Sequence, residues 1–284
     1  MDNINGFADL HIHSNHSDGQ YSPKAVIDKS LFNNLQAIAI VDHDDISALP
    51  EAITYGDEIG LEVITGVELS VNYKNSDLHI LAYCFDYQNS ELVKYLKFFR
   101  EERIKRAQKI VHRLAKLGMP VSFEAVLKKA GPGTIGRPHI AELLVKDGYV
   151  YSFQEAFNKF IGDGKPANVK KYKLDLERAL AIVKAAGGIC SVAHPGLQLK
   201  DEDLLLLMKS GVHAIEVIHP KHSEDQTCYY SELARSNGLL QTGGSDFHGG
   251  RKGEEVLGKF KIPYEVVTQM KELAQNQKQP RNYF

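Results

Sequence analysis

The chain has 284 residues and a nearly balanced charge, with 34 lysines and arginines against 36 aspartates and glutamates. This length accommodates one large core, or one core with a smaller inserted domain, and the charge balance excludes an overall basic bias toward nucleic acid. The three cysteines, Cys84, Cys190 and Cys228, form neither a paired framework nor a Cys-x-x-Cys site, which suits a reducing compartment.

Short apolar runs alternate with helical patterns before residue 90 and again after residue 175. The predicted strands are Phe7–His11, Ala37–Val41, Glu62–Gly66, Asp77–Tyr83, Ile189–Ala193, Ala214–Ile218 and Leu239–Gly243. The predicted helices between them are Ser22–Asn34, Pro50–Gly60, Leu176–Ala186, Leu204–Ser210 and Gln226–Asn237. Repeated β-then-α units with nearly continuous apolar strands indicate a parallel sheet, and seven strands suit a closed or nearly closed barrel.

The pattern changes between residues 90 and 175, where the sequence is mostly helical. Leu92–Leu117 carries apolar residues at spacings near three and four, as an amphipathic helix does. Phe123–Ala130, His139–Lys146 and Phe153–Phe160 have the pattern of further short helices. We therefore predict a barrel domain formed by residues 1–89 and 176–284, with residues 90–175 inserted as a small helical substrate-binding domain.

Histidine and carboxylate side chains stand at or near the ends of the predicted strands. In chain order they are His11, His13, His43, Glu68, His79, His194, His219, Asp246 and His248. The carboxyl ends of the strands in a parallel barrel open onto one face, so these side chains are expected to converge there. Metal coordination would satisfy them together, and nitrogen and oxygen ligands without thiolate suit Mn²⁺, Fe²⁺ or Zn²⁺. Asp42 and Asp44 are expected to orient His43 by accepting hydrogen bonds.

In these positions the sequence resembles the polymerase and histidinol phosphatase (PHP) superfamily. The matching residues are Asp9-Leu-His-Ile-His-Ser14, Ser17-Asp-Gly19, Val41-Asp-His-Asp44, Gly66-Val-Glu68, His79, Ala193-His-Pro195 and Gly244-Ser-Asp-Phe-His248. The resemblance implies an α/β fold, a distorted seven-stranded (β/α) TIM-like barrel, with a trinuclear metal centre.

The resemblance also assigns the metal ligands. One ion would be held by His11, His13, Glu68 and Asp246, a second by Asp18, His43 and His248, and a third by Glu68, His79 and His194, with Glu68 bridging. The resemblance also implies catalytic roles for four of these residues, His43, Glu68, Asp246 and His248. It implies a catalytic role for His219 as well, which is not among the metal ligands. Mn²⁺ is the favoured ion.

The predicted reaction is hydrolysis of a phosphoric ester. Clustered divalent ions hold a phosphate oxygen while lowering the pKa of a bound water, which attacks phosphorus as hydroxide. In size and inserted domain the chain is similar to the nucleoside 3′,5′-bisphosphate phosphatase and 5′–3′ exoribonuclease (ribonuclease AM-like) branch. That similarity implies two substrate classes, nucleoside 3′,5′-bisphosphates and short oligoribonucleotides degraded from the 5′ end.

Two motifs of the insert carry the resemblance to this branch, Gly136-Arg-Pro-His-Ile140 and Gly162-Asp-Gly-Lys-Pro-Ala167. The Arg137 guanidinium would grip a phosphate bidentately, and Lys165 would add a point charge. His139 and His219 would contact the substrate or the metal ligands, one of them giving a proton to the leaving oxygen.

Other interpretations stay open at this point. The same centre would serve a phosphatase for a small metabolite such as histidinol phosphate, or a non-catalytic metal-bound module that docks onto a partner. The basic run 100–109 favours a solvated helix face over a groove wall for an oligonucleotide backbone. Without aromatic-basic alternation no long-duplex nucleic acid is expected as a partner. The oligomeric state is not predicted.

The sequence gives no indication of membrane attachment. The first twenty residues lack a basic start followed by an apolar run, so no signal peptide is expected. The longest apolar stretches, such as Leu204–Met208, are too short to cross a bilayer. We expect a cytoplasmic protein.

Overall fold

The computed structural model describes residues 6–74, 76–131, 133–250 and 255–278. Within these ranges one sheet has nine strands, β1 Phe7–Ile12, β2 Ala37–Ile40, β3 Glu62–Tyr73, β4 Ser76–Tyr83, β5 Leu174–Asp175, β6 Ile189–Val192, β7 Ala214–Ile218, β8 Leu240–Gly243 and β9 Ile262–Pro263. The helices are α1 Pro23–Phe32, α2 Leu49–Ile59, α3 Ser90–Lys116, α4 Phe123–Ala130, α5 Arg137–Lys146, α6 Phe153–Ala156, α7 Leu176–Ala185, α8 Pro195–Gln198, α9 Asp201–Met208, α10 Glu224–Ser236 and α11 Tyr264–Lys278. A π-helical turn, Phe157–Ile161, follows α6.

The sheet curves into a nearly closed barrel with the strand order β8-β7-β6-β4-β3-β2-β1-β9. The chain that leaves β8 returns to the end of β1, where the His13 amide donates to the Phe247 carbonyl at 2.9 Å. Gly244 permits this approach, since a Cβ there would lie 2.3 Å from the backbone nitrogen of His11. The predicted barrel is confirmed, with two more strands, β5 and β9, than the seven expected.

One strand of the barrel runs against the predicted direction. β4 is antiparallel to both β3 and β6, because β3 turns directly into β4 after Tyr73 and no crossover helix lies between them. The expectation of an all-parallel sheet was therefore wrong at this position. β3 is also longer than predicted and pairs Ser70 with His79. The reversal consequently brings the beginning of β4 to the rim at which the parallel strands end.

The helix α11 was not predicted. Its buried residues Val267, Met270 and Ala274 recur at helical spacing and join the apolar cluster of Ala8, Leu10 and neighbouring strand residues inside the barrel. Gln277, near the end of α11, lies within hydrogen-bond distance of His213, with 2.7 Å between Nε2 atoms. The helix therefore contributes to the barrel core.

The segment between β4 and β5 carries its own apolar cluster. Ala107, Ile110 and Leu114 of α3 pack there with side chains of α4, α5 and the π-helical turn. The first half of α3 packs differently, because Leu92, Leu96 and Phe99 join the large cluster beneath β3 and β4. α3 thus connects the two clusters, and the domain boundaries at residues 90 and 175 stay a prediction. In the described part of the chain, no helix combines the length and apolar character needed to span a membrane.

Candidate metal centre

The nine predicted metal ligands lie together at one rim of the barrel. His11 and His13 are at the end of β1, Glu68 lies in β3 and His79 in β4, and the other five are in loops that follow β1, β2, β6 and β8. Their ligand atoms form four groups, each within 4.8 Å, namely His13-Asp18-His43-His248, His11-His13-Asp246, His11-Glu68-His194 and His43-Glu68-His79. The arrangement brings residues from both ends of the sequence into one polar cluster.

Glu68 is at the centre of the cluster, with five imidazoles around its carboxylate. Oε2 lies 3.1 Å from His43 Nδ1, 3.2 Å from His13 Nε2 and 3.5 Å from His11 Nε2. Oε1 lies 2.6 Å from His79 Nδ1 and 3.1 Å from His194 Nε2. Burial alone would raise the pKa of Glu68, but the surrounding imidazoles hold it well below its usual value. The side chain is therefore a buried carboxylate anion.

Two aspartates complete the cluster on the side of the first loop. Asp18 Oδ1 lies 3.1 Å from His248 Nε2 and 3.8 Å from His43 Nε2. Asp246 Oδ1 lies 3.4 Å from His13 Nε2. Burial opposes the charge on Asp18, but nearby imidazoles, His248 first, hold its pKa well below the usual value. Both carboxyl groups thus offer oxygen atoms to the same space.

Several buried nitrogen and oxygen atoms in this cluster lie close to one another but make no hydrogen bond of normal geometry with the described residues. They are His11 Nε2, His13 Nε2, His43 Nδ1, Glu68 Oε2, His79 Nδ1, His194 Nδ1 and His219 Nε2. A buried polar atom without a partner costs about 1–3 kcal/mol, so seven within one cluster require a common partner. Imidazole and carboxylate donors are the ligands that divalent transition metals prefer. The residues therefore fit divalent metal ions.

Strained backbone accompanies the cluster. Asp44, His194 and Asp246 have φ angles of 51°, 28° and 48°, in the region that side chains other than glycine rarely adopt. Such conformations persist only where the surrounding structure fixes them, and they concentrate at functional sites. Two of these residues are predicted ligands, and the third follows a ligand directly.

Glu216 of β7 is a functional residue that the sequence did not reveal. It is fully buried, its Oε1 lies 2.7 Å from His11 Nδ1, and its Oε2 accepts a hydrogen bond from the His194 amide at 2.6 Å. The indication in the sequence was one carboxylate inside the apolar run Ala-Ile-Glu-Val-Ile. Because the carboxylate accepts from His11 Nδ1, it leaves His11 Nε2 facing the cluster with a lone pair.

Asp42 and Asp44 do not contact His43 as expected. Asp42 accepts hydrogen bonds from the Ser14 amide at 2.8 Å and from the Ser17 hydroxyl at 2.5 Å, which fixes the loop carrying Asp18. Asp44 accepts from the Ser70 amide at 2.7 Å and from Arg103 Nε at 3.0 Å. The expectation that both orient His43 was wrong, because their carboxylates bind loop amides, hydroxyls and an arginine of the insert.

A cleft of about 930 Å³ opens from the metal-ligand cluster toward the insert. Asp18, His43 and His79 line its inner end. Cationic side chains from the insert and from the loop after β7 line its walls, namely Arg103, Arg106, Arg137, Lys171 and Lys221. Arg103 is buried and Arg106 half-buried, so the solvated face expected for the basic run was wrong at these two residues.

Of the predicted substrate-binding residues of the insert, Arg137 lines the cleft, and Lys165 and His139 do not. Arg137 lines the cleft and donates from Nη1 to Asp163 Oδ1 at 2.8 Å and to the Ile161 carbonyl at 3.2 Å. Lys165 is exposed. His139 is buried, and its Nδ1 accepts a hydrogen bond from the Gly136 amide at 3.0 Å. Neither residue is among the described residues that line the cleft.

His219 lies beside the metal-ligand cluster. Its Nδ1 accepts a hydrogen bond from the Lys221 amide at 3.2 Å, and its Nε2 lies 3.6 Å from Asp246 Oδ2. This contact favours the tautomer with its proton on Nε2, the nitrogen turned toward Asp246.

Comparisons with known proteins agree with this geometry. Residues 9–153, about half of the chain, match the family model described as the PHP domain. The chain is 33% identical to the 5′-3′ exoribonuclease of Haemophilus influenzae, over 84% of this chain and 89% of that protein. It is 32% identical to the 3′,5′-nucleoside bisphosphate phosphatase of Chromobacterium violaceum, over 88% and 90%.

A solved structure is also similar. It is that of a Bifidobacterium adolescentis protein assigned by inference as a metal-dependent phosphoesterase, with a TM-score of 0.86 and 29% identity over 94% of this chain and 96% of that one. The family match ends before His194, so the last three predicted ligands rest on the geometry of the cluster and on these longer alignments.

Proposed function

Since the chain belongs to the PHP domain family and is a metal-dependent phosphoesterase, we propose that it hydrolyses the 3′-phosphate of nucleoside 3′,5′-bisphosphates and degrades short oligoribonucleotides from the 5′ end. One observation carries this proposal. The metal-ligand cluster opens directly into a cleft whose walls present several cations, and a substrate with two phosphate groups needs both features. The names of the two relatives supply the nucleotide class.

We propose that the nine ligands hold three divalent ions in the sets that the family resemblance implies. The first set is His11, His13, Glu68 and Asp246, the second is Asp18, His43 and His248, and the third is Glu68, His79 and His194. The central position of Glu68 supports its bridging role. Bound divalent ions would lower the pKa of water and neutralise phosphate charge. Mn²⁺ is favoured, with Fe²⁺ or Zn²⁺ as alternatives.

The cationic walls would bind the phosphate group that is not hydrolysed. Burial, followed by the charges of Arg137 and Arg103, lowers the pKa of Arg106 to about 10. Burial and the nearby Arg103 lower the pKa of Lys171 to about 8. These neighbouring cations repel one another, and an anion placed between them would relieve the repulsion. The orientation of Arg137 is already fixed by Asp163 and by the Ile161 carbonyl.

His219 is the candidate general acid of the proposed reaction, because its Nε2 lies beside the metal-ligand cluster and would give up its proton from the imidazolium form. A proton given to the leaving ribose oxygen would prevent the departure of an unstable alkoxide. The insert of residues 90–175 would form the substrate-binding wall of the cleft. We also propose a cytoplasmic location, which the three free cysteines support.

The test is phosphate release from adenosine 3′,5′-bisphosphate by protein loaded separately with Mn²⁺, Fe²⁺ or Zn²⁺. A 5′-phosphorylated oligoribonucleotide and histidinol phosphate are assayed in parallel, and the Asp246→Asn variant is the control for contaminating phosphatases. We expect turnover of the two nucleotide substrates, greatly reduced in Asp246→Asn. Absence of nucleotide turnover with every metal, or faster turnover of histidinol phosphate, would reject the proposal.

A further inference from the structure

We propose that Phe153 and Phe157 form a stacking platform for the nucleobase of the substrate, an inference that rests on the proposed function. Both rings line the cleft that leads to the metal-ligand cluster. Their centroids are 5.1 Å apart and their planes are inclined by 36°. No other phenylalanine, tyrosine or tryptophan is among the described residues that line this cleft. The platform is therefore a local aromatic surface in a polar and cationic cleft.

Packing within the insert accounts for only part of the surface of each ring. Both belong to the insert and pack against its apolar cluster from the outside, so each ring is only partly buried. Phosphate groups and metal ions gain nothing from an exposed phenyl ring. A nucleobase does, because its flat π-surface stacks on aromatic side chains.

The platform is joined to the rest of the cleft through Arg137. The guanidinium carbon of Arg137 lies 5.6 Å from the centroid of Phe157, over the ring. Asp163 Oδ1 accepts a 2.8 Å hydrogen bond from the same guanidinium. A phosphate-binding cation and an aromatic ring are therefore fixed next to each other, as recognition of the phosphate and base of one nucleotide requires.

The local backbone explains how the two rings are presented together. α6 begins after Ser152, whose hydroxyl accepts from the Glu155 amide at 3.1 Å, and Phe153 and Phe157 are four residues apart on one face. The helix then widens into the π-helical turn, in which the Gly162 amide donates to the Phe157 carbonyl at 3.0 Å. Such turns are rare and occur frequently at functional sites.

The platform would accept different bases. Gln154 lines the same part of the cleft, but its Nε2 donates to Asn158 Oδ1 at 2.9 Å, so this amide is already engaged. Recognition by stacking uses the π-face that every base has, and it depends little on base identity. We expect purines to bind more tightly than pyrimidines because they cover a larger area of the rings.

The first experiment measures binding without turnover. The 5′-monophosphate of 2-aminopurine riboside, which has no 3′-phosphate to lose, is titrated with Mn²⁺-loaded protein, because the fluorescence of 2-aminopurine is quenched when it stacks. We expect quenching by the wild type and by Phe157→Tyr, which keeps the ring. Phe153→Leu and Phe157→Leu should weaken binding about 5- to 100-fold. Phe160→Leu is the matched control, since Phe160 packs on the same cluster but is absent from the described lining.

The second experiment compares adenosine 3′,5′-bisphosphate with an analogue in which a methoxy group replaces the base. For the wild type we expect the analogue to have the higher KM, and for the two leucine variants we expect KM to rise for the adenosine substrate alone. Equal wild-type KM values for the two compounds, unchanged quenching in the leucine variants, or equal losses on both compounds would overturn the proposal. Quenching without phosphate release would instead reject the proposed function and leave the platform supported.

Discussion

Glu216 and His11 form a 2.7 Å contact between two fully buried side chains that are 205 residues apart in the sequence. The same carboxylate accepts a hydrogen bond from the His194 amide, so one side chain orients two predicted ligands. Burial lowers the pKa of His11, whereas the carboxylates of Glu216 and Glu68 raise it. The carboxylates prevail, and the pKa of His11 lies well above the usual value. Protons and metal ions therefore compete for the same imidazole, and Glu216 strengthens its basicity.

Replacement of this carboxylate tests its positioning role. An amide has one acceptor oxygen, so Glu216→Gln can keep only one of the two hydrogen bonds. We expect metal affinity to fall about 10- to 100-fold, with activity recovered at excess metal. Calorimetric titration of metal-free protein measures the affinity, and Glu62→Gln, at the opposite end of β3, is the control. Unchanged affinity in Glu216→Gln would show that the contact serves only packing.

Removal of the metals should destabilise the fold. Ions that bind only the native state add about 2.7 kcal/mol per site at 100 times the dissociation constant. We expect chelation to lower the melting temperature, and His43→Ala to reduce both the metal content and this stabilisation. The measurements are elemental analysis and thermal unfolding with and without Mn²⁺, with His112→Ala, an exposed histidine of α3, as control. Identical melting curves for loaded and chelated protein would contradict the expectation.

The convergence of the nine predicted ligands could be predicted because each is at or near the rim-facing end of a strand, where the topology of a barrel determines which residues meet. For His13 and Asp246, the position just after a predicted strand was sufficient to predict that the side chain reaches the rim. His79 was also predicted, although the reason differs from the expected one, because β4 runs antiparallel and presents its beginning at the rim. The turn between β3 and β4 is short, and the periodicity of a strand carries no information about its direction.

The supporting residues could not be predicted in the same way. Glu216 alternates with apolar residues as any strand position does, and its partner is distant in the sequence. Arg103 lies in a basic run that is typical of a solvated helix face, and only the packing of α3 against the barrel buries it. Tertiary contact, rather than local pattern, decides whether such a charge is exposed or paired.

The ion pair between Arg103 and Asp44 connects the insert to the barrel and should contribute strongly to stability. Arg103→Met leaves the buried Asp44 carboxylate without its cation, and we expect the free energy of unfolding to fall by about 3–5 kcal/mol. Adding Asp44→Asn should recover part of this loss, because it removes the uncompensated charge. Urea denaturation gives the values, and Arg100→Met on the exposed side of α3 is the control. A loss no larger than that of the control would contradict this assignment.

Lys171 should give the reaction an alkaline limit. Because burial and Arg103 lower its pKa to about 8, the ammonium is charged below that pH and neutral above it. If the charge binds substrate phosphate, kcat/KM for the bisphosphate falls as the pH rises through about 8. Lys171→Arg keeps the charge and should remove this limb, whereas Lys170→Arg at the exposed neighbour should not. If kcat/KM of Lys171→Arg still falls as the pH rises through about 8, a group other than Lys171 causes the fall.

His219 provides the last prediction, which depends on the leaving group. Its Nε2 is the nitrogen turned toward Asp246, so the imidazolium form would give the Nε2 proton to a leaving oxygen. We expect His219→Gln to lower kcat for adenosine 3′,5′-bisphosphate by about 10²- to 10⁴-fold. Hydrolysis of p-nitrophenyl phosphate should change much less, because p-nitrophenolate is stable without a proton.

The neighbouring His222 is the control for this experiment. Its ring lies 5.2 Å from that of His219, and its Nδ1 donates to the Val217 carbonyl at 3.0 Å, so His222→Gln should affect both substrates little. If kcat of His219→Gln falls by the same factor for both substrates, His219 is not the proton donor. Its role would then be to position Asp246, whose Oδ2 lies 3.6 Å from Nε2. Only a loss confined to the poor leaving group identifies the proton donor, because protonation of the leaving oxygen is the step in which the two substrates differ.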